Sequence, residues 1–434
     1  MAVISKPVNL EVAAKRTAAR WLFVAPTLFL LVVVNQLEKT NVAVIMADRR
    51  FLSDMALAGQ SARIGLISTM FFFGYGIGLL AWGFVVDRLG PRRTAMLGVC
   101  GWALTTIWCA VSHSVNELYA ARLVLGIAEG CIWPVCNAYS RRWFPLREQN
   151  RIQSTWVNGN QVGIALGLPL VAALISAGGW RTVFWVLGVG SFLLLEPMLL
   201  LLAPDTPAAS RFANEEEQRH IMSRLAGKRE AVYAERSVGL GPLLKDFHFW
   251  MVTICHVGTV ATLFGLATWI PTYLTQFRGL PFSALGGWVA WTYWIPVPLA
   301  ILAGYFADRS MRPALVGSAT GAVVGVLVLT AVLVPSTVAS VLLLATTLAS
   351  PVIYGALNAS IMQRMALPDQ IGRATGIFVG LSNLVGGLSP TVIGYLIGHF
   401  GGRYLAAFGF ISAVNFMLVF LYLPLDRIAK PRTA

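Results

Sequence analysis

Four ionisable residues lie within stretches that are otherwise apolar. Glu38 and Lys39 follow a run of leucines and valines, and Arg122 and Glu129 lie seven residues apart in a second apolar run. An ionised group at membrane depth costs at least about 2.5–3.5 kcal/mol on insertion scales, so such residues are retained for a reason. The pattern predicts a charged site inside a membrane.

Spacing along the chain determines how these four groups can act together. Glu38 and Lys39 are about 100° apart on a helix, so we expect one to face a cavity and the other a neighbouring helix. Arg122 and Glu129 are about two turns apart and form a column on one face. Two simpler interpretations remain open. In one, Lys39 lies at the outer membrane interface. In the other, Arg122 and Glu129 form an ion pair with a purely structural role.

A buried carboxyl beside a cation has a protonation state that can be switched. Low dielectric favours the neutral acid, whereas the nearby cation favours the carboxylate. A substrate anion that displaces the cation therefore changes the protonation of Glu129. This is the chemistry that a proton-coupled carrier requires.

The composition places these residues in a polytopic membrane protein. The chain has 434 residues, 57% hydrophobic and 12% charged, against about 25% charged in soluble domains. Apolar stretches of about 20 residues and the lack of strand-like alternation predict an all-α fold of twelve transmembrane helices in two six-helix bundles. The first run lacks a small-residue cleavage site, which predicts a helix rather than a leader. The predicted spans are 21–47, 62–86, 93–112, 117–140, 152–177, 182–203, 249–276, 284–307, 314–334, 337–360, 374–399 and 404–424.

The net charge of +14 is explained by topology. With the N-terminus inside, 25 lysines and arginines fall at inner segments and 6 at outer ones. The positive-inside rule then predicts a multi-pass protein of a bacterial inner membrane with both termini in the cytoplasm, and makes nucleic acid an unnecessary partner. The five cysteines fall in predicted spans and are interpreted as small buried apolar residues, with no metal site.

The longest polar segment divides the chain into two halves. It runs from Pro204 to His248, which predicts an N-terminal bundle at 1–203, a cytoplasmic linker at 204–248 and a C-terminal bundle at 249–434. Asn214 precedes three glutamates, a pattern typical of a helix N-cap. Gly83-Phe-Val-Val-Asp87-Arg88 is echoed by Gly304-Tyr-Phe-Ala-Asp308-Arg309. A parallel repeat of this kind places a substrate site between two rocking bundles.

The segment from Gly83 to Arg93 resembles the signature loop between helices two and three of the major facilitator superfamily. Asp87 at a helix end can pair with arginines at the end of span four and with a helix N-terminus of the other half. An ordinary loop charge is the alternative reading, but it does not explain Asp87 or Gly90. The predicted gate consists of Asp87, Arg88, Arg141, Arg142, Asp308 and Arg309.

A wider resemblance involves several segments of the chain. The chain resembles the anion:cation symporter family, whose members carry sugar acids, aromatic acids and, in animals, glutamate and sialic acid. The resemblance implies that Glu129 is the proton-coupling acid and Arg122 its partner. It also implies that Asn160 and Asn383 contact the substrate. The segments are 35–43, 122–134, 143–145, 205–207, 268–273 and 380–390.

One departure from the family pattern bears on the substrate. The family usually has an Asp-Arg pair where this chain has Glu38-Lys39. Lysine keeps the positive charge but lacks the planar fork that binds a carboxylate through two bonds. The sequence therefore predicts that the substrate is an anion, but it does not predict which anion.

Other polar and aromatic residues in the spans have two possible roles. Asn160 and Asn383 can contact substrate or join helices, because either would be costly facing lipid. Tyr75, Trp133 and Tyr354 can line the cavity or pack within the bundle. His256, a few residues into span seven, is a possible titrating group or a satisfied polar residue.

These residues together predict a proton-coupled symporter that imports a small organic carboxylate, either a sugar acid or an aromatic or dicarboxylic acid. Protons and the lipid bilayer are its other partners, and we expect a monomer without cofactor or enzymatic activity. Glu38 is the second candidate for proton coupling. The predicted substrate site consists of Lys39, Glu38, Arg122, Asn160, Asn383, Tyr75, Trp133 and Tyr354.

The nearest alternative is an efflux antiporter for drugs or metabolites. Such pumps have a Gly-Pro-rich fifth span, which Gly163-Ile-Ala-Leu-Gly167-Leu-Pro169 matches only in part. A membrane sensor or enzyme gains no support, because the sequence has no metal-spacing cluster, no Ser-His-Asp arrangement and no nucleotide-binding loop.

Overall fold

A computed structural model describes residues 18–222, 241–282, 284, 285, 287, 288, 292, 313–365 and 371–429. Eleven helices in this part of the chain are long and apolar enough to cross a membrane, and they confirm the predicted all-α fold. Most of the eighth predicted span, 284–307, lies outside the described residues, as do Asp308 and Arg309. The helices are α1 (Arg20–Ile45), α2 (Ser61–Leu89), α3 (Pro91–Val111), α4 (Val115–Trp143), α5 (Arg151–Gly178), α6 (Trp180–Leu202), α7 (Phe247–Phe277), α8 (Ala314–Leu333), α9 (Thr337–Met362), α10 (Ala374–His399) and α11 (Tyr404–Asp426).

Helix α4 is interrupted immediately after Glu129. Its two regular parts, Val115–Glu129 and Ile132–Trp143, are joined by a turn at Gly130 and Cys131. A Cβ atom at Gly130 would lie 2.7 Å from the backbone of Gly78, so only glycine permits this contact with α2. The interruption therefore fixes the position of Glu129, the middle residue of α4.

Glycines bring α2 and α4 into backbone contact. A Cβ atom at Gly126 of α4 would lie 2.8 Å from the Tyr75 nitrogen, and one at Gly78 of α2 would lie 2.5 Å from the Ile127 carbonyl oxygen. Small residues at a membrane helix interface permit such close approach. The charged residues of α4 consequently lie next to the aromatic face of α2.

Glycines also bring α5 into close contact with the backbone of α1. A Cβ atom at Gly159 would lie 2.9 Å from the Phe29 oxygen, and one at Gly163 would lie 2.5 Å from the Val33 oxygen. Gly167 packs against Leu37. Close packing on α1 therefore explains the glycines of the fifth span.

The first six helices meet the last five mainly through α2 and α10. We call the side of the membrane where α1 begins the Arg20 side and the opposite one the Ser61 side. Toward the Ser61 side, the Thr69 hydroxyl donates to the Gly387 carbonyl at 2.9 Å and accepts from Thr391 at 2.8 Å. The rings of Phe72 and Phe264 stack with centroids 3.5 Å apart. The two groups of helices are thus joined on the Ser61 side.

A short helix after α6 is fixed to the start of α1. Its cap is confirmed, because Asn214 accepts from the Glu217 backbone N–H at 3.0 Å. The buried Glu217 carboxylate accepts from the Ala19 backbone at 3.0 Å and from Arg20 Nη1 at 2.7 Å. Arg20 also donates from Nε to Glu148 at 2.9 Å. One arginine therefore joins the first helix to the segments that precede α5 and follow α6.

The Arg20 contact predicts a pH-dependent stability. Hydrogen bonds from Arg20 lower the pKa of Glu148, against a smaller opposing effect of partial burial. A carboxyl whose pKa is lower in the folded state stabilises above its unfolded pKa, about 4.3, and loses this effect as pH falls through the folded value. Glu148→Gln should therefore lower the thermal unfolding midpoint of the purified protein at pH 7, and by much less at pH 4.

The matched control is Glu215→Gln on the exposed face of the linker helix, which should leave the midpoint unchanged at both pH values. An equal loss for Glu148→Gln at pH 7 and pH 4 would show that the carboxylate charge contributes nothing.

Candidate functional site

Glu38 and Lys39 point to different helices. The fully buried Glu38 carboxylate accepts from the Thr106 hydroxyl of α3 at 2.6 Å. The Lys39 ammonium lies 4.0 Å from the ring centroid of Tyr75, the middle residue of α2. Glu38 therefore faces a neighbouring helix, and Lys39 directs its charge to the centre of the membrane rather than to its outer interface.

Arg122 and Glu129 are both fully buried but do not contact each other. Glu129 Oε2 accepts from the Asn35 amide at 2.7 Å. The Arg122 guanidinium stacks on Phe71 at 4.5 Å, and none of its nitrogens has a hydrogen-bond partner among the described residues. The structural tie between Arg122 and Glu129, one of the two readings of the sequence, is absent from this conformation.

The four charged groups influence one another without forming close pairs. Lys39 exerts the largest electrostatic effect on Glu129, followed by Glu38 and Arg122. In the described part of the chain, none of these cations lies within 4.0 Å of a carboxylate oxygen of the two acids. Charges of this kind still interact by several kcal/mol in low dielectric. When all four groups are ionised, the two acids and two bases have a net charge of zero. Protonating one acid therefore leaves one cation without a compensating negative charge.

Two contact residues were not identified from the sequence. Asn35 holds Glu129, and Thr106 holds Glu38. Asn35 gave a signal, because it is an amide within the apolar run of the first span. Thr106 gave none, because a hydroxyl in a membrane helix usually bonds to its own backbone.

Four other predicted substrate residues lie near the site or along neighbouring helices. Tyr75 lies against Lys39, and its buried hydroxyl has no partner among the described residues. The half-buried Trp133 packs edge-on against Trp156 at 5.0 Å. Asn160 donates to the Val157 carbonyl at 2.9 Å and Asn383 to the Val379 carbonyl at 2.8 Å, each within its own helix.

Tyr354 does not line a cavity in this conformation, contrary to the reading in which it forms part of the wall. It is fully buried, its hydroxyl donates to Asn415 at 3.2 Å, and its ring stacks on Tyr422 at 5.8 Å. Both partners belong to α11. Tyr354 therefore packs α9 against α11 inside the second group of helices.

Among the described residues, Asp87 forms none of the ion pairs expected of it at the gate. Asp87 is exposed at the end of α2 and pairs with no residue that the structure describes, and Arg141 is likewise exposed. Arg142 Nη1 instead lies 3.9 Å from Asp205, which also accepts from the Arg92 backbone at 2.9 Å. Asp205 thus caps the N-terminus of α3. It also attracts Arg142, which was expected to pair with Asp87.

Gly90 explains how Asp205 reaches this position. Its φ is +82°, which favours glycine, and a Cβ atom there would lie 2.7 Å from Asp205 Oδ1. Arg88 is exposed beside it.

Comparison with known proteins identifies the family. The model of the Major Facilitator Superfamily matches residues 28–368, well over half of the chain. The chain belongs to this superfamily. The "D-galactonate transporter" of Escherichia coli is 24% identical to it over 431 residues, covering 95% of this chain and 97% of the relative. This relative agrees with the predicted anion:cation symporter type.

Two further comparisons bear on length and fold. The transporter is 27% identical to human "Sialin" over 259 residues, 56% of this chain, and so spans about half (49%) of that relative. A crystal structure of a bacterial homologue of the human lysosomal transporter Spinster has a TM-score of 0.72 at 16% identity. It covers 95% of this chain and 98% of that one, which supports the same fold.

Removing the Asp87 charge should shift the conformation of the transporter. If Asp87 stabilises closure of the Arg20 side, Asp87→Asn should favour the state open on that side. An exposed ion pair is worth about 0.2–1 kcal/mol, so the shift is up to about fivefold. A cysteine placed at the exposed Asn137 of α4 should be alkylated correspondingly faster.

The control is Asp246→Asn, at the N-cap of α7, where asparagine can still accept from the His248 backbone. This variant should be alkylated at the rate of the parent. An unchanged rate in Asp87→Asn would remove Asp87 from the gate.

Proposed function

We propose that this transporter is a proton-coupled symporter that imports a small organic carboxylate. The observation that carries the proposal is the environment of Glu129, a fully buried carboxylate on which both Lys39 and Arg122 act without forming a close pair with it. Arg122 also acts on the second buried acid, Glu38. Such an acid changes protonation when the charge around it changes.

Lys39 is the cation for which substrate and Glu129 compete. While Glu129 is ionised, the ammonium is compensated by it. Protonation of Glu129 leaves the ammonium beside Tyr75 without a counterion, and a substrate carboxylate then supplies one. Proton and anion therefore bind together. Release of the proton on the other side restores the competition and expels the anion.

Arg122 has a different role in this scheme. It is buried on the Ser61 side of Glu129, and the carboxyl groups that act on it electrostatically are those of Glu129 and Glu38. We assign it to balancing these acids rather than to gripping the substrate. Asp308 and Arg309 stay in the proposed gate as predicted from the sequence.

The charge of the loops supports the proposed orientation. The excess of lysine and arginine on the Arg20 side is what the positive-inside rule expects of a cytoplasmic side. The sugar-acid substrate in the name of the D-galactonate transporter supports a carboxylate substrate for this chain. The glycines of α5, which suggested an efflux antiporter, are accounted for by contact with α1.

Glu129→Gln separates binding from coupling. The variant imitates the protonated acid permanently, so it should exchange D-galactonate across liposomes in counterflow at close to the wild-type rate. It should fail to accumulate D-galactonate when an inward proton gradient is imposed, because no proton leaves. Wild-type accumulation by the variant would place coupling elsewhere, with Glu38 next. Loss of both activities would reduce Glu129 to a structural or binding residue.

Lys39→Ala tests the substrate cation. It should abolish measurable D-galactonate binding in calorimetry of the purified protein, whereas Lys39→Arg keeps the charge and should retain part of it. The control is Arg181→Gln at the exposed outer end of α6, which should bind as the wild type does. Near-normal binding by Lys39→Ala would contradict the assignment.

A further inference from the structure

Asn35 and Lys39 act on Glu129 from the same face of α1. They are four residues apart, or about one helical turn, with Asn35 nearer the Arg20 side. The Asn35 amide bonds directly to Glu129 Oε2 at 2.7 Å, and Lys39 exerts the largest electrostatic effect on the same carboxyl group. Glu129 therefore lies against this face of α1.

The two oxygens of the Glu129 carboxyl group have different surroundings. Oε2 accepts the Asn35 bond, whereas Oε1 is buried and has no partner among the described residues. Asn35 and Glu129 are both buried in this conformation. A hydrogen bond in such surroundings is electrostatically stronger than one in water. Oε1 is therefore the oxygen that is free to take a proton.

The ionised form of Glu129 fixes the orientation of the Asn35 amide. A carboxylate only accepts hydrogen bonds, so the amide must present its nitrogen. A proton on Oε2 would face this N–H, donor against donor, whereas a proton on Oε1 leaves the bond in place. The alternative is an amide that turns over and accepts from a protonated Oε2.

The Asn35 bond also bears on the pH at which Glu129 releases its proton. A donor to a carboxylate stabilises the ionised form, and it does not need a second charge to do so. The titratable groups that act near Glu129 belong to the helices packed around it: Lys39 and Glu38 of α1, Tyr75 of α2, Cys109 of α3, and Arg122 and Cys131 of α4. Substitution of Asn35 leaves all of these groups in the chain.

We propose that Asn35 is a positioning residue of the coupling site: its amide holds Glu129 Oε2, directs the coupling proton to Oε1 and sets the pH at which that proton is released. This inference rests on the proposed function, in which Glu129 carries the proton. Asn35 acts through Glu129 rather than on the substrate.

Infrared difference spectroscopy of the full-length protein in liposomes follows the proton without substrate. The C=O stretch of protonated Glu129 is the band that Glu129→Gln removes, and its intensity is recorded against pH. Asn35→Leu keeps the branched shape but removes the donor, so the midpoint of this band should move to higher pH by at least about one unit. Asn35→Asp should move it further, because two adjacent carboxyl groups then share one proton.

The matched control is Ser176→Ala in α5, whose hydroxyl donates to the Ala172 carbonyl of the same helix at 2.9 Å. This variant also removes a polar group from a membrane helix, and its midpoint should equal that of the wild type. If Asn35→Leu does not fold, the isosteric Asn35→Asp decides the question.

Counterflow of D-galactonate at equal pH on both sides of the membrane relates the proton site to transport. Its pH profile should move with the infrared band in Asn35→Leu. A merely structural role for Asn35 would lower the rate at every pH and leave both midpoints where they are in the wild type.

The outcomes separate the role of Asn35 from the proposed function. A band that is unshifted in both Asn35 variants, or shifted to lower pH, overturns the role of Asn35 alone. The lack of any titrating band that Glu129→Gln removes overturns coupling at Glu129 together with this inference. A band that shifts while the counterflow profile does not overturns coupling at Glu129, whereas the role of Asn35 in placing its proton stands.

Discussion

Neutralisation of buried charge is the constraint on which the site depends. Two acids and two bases from α1 and α4 share the interior of the first group of helices, and neither of these two cations lies within 4.0 Å of either acid. Tight buried pairs are hard to separate, because breaking one leaves an uncompensated ion at a cost of several kcal/mol. Looser balance among four groups lets a proton or an anion replace one member at smaller cost. The reversible binding of proton and anion that we propose depends on this property.

Glycine contacts hold the charges in place. The backbone contact between α2 and α4 positions Phe71 and Tyr75 as platforms for Arg122 and Lys39. The turn at Gly130 ends the first part of α4 directly after Glu129. Cations over aromatic rings keep a favourable electrostatic contact without an anion. In the proposed mechanism, these aromatic contacts stabilise the two cations while the acids exchange protons.

Sequence periodicity predicted the helices well, and it predicted partners between helices poorly. Long apolar runs are sufficient to define spans, and the Asn214 cap is a local signal. Contacts between helices depend on how each helix is rotated, which a single sequence does not encode locally. Thr106 as the partner of Glu38 and Asp205 as the partner of Arg142 were missed for this reason. Tyr354 likewise turned out to face α11.

The central claim is that proton and carboxylate move together in the same direction, and a pH indicator inside liposomes tests it most directly. Wild-type protein is reconstituted with trapped pyranine and no initial pH gradient, and external D-galactonate is added while labelled uptake is recorded. Symport predicts that the lumen acidifies in step with uptake, whichever way the protein is oriented. Uptake with an unchanged or alkaline lumen would contradict the account, because the anion would then move without a proton or in exchange for one.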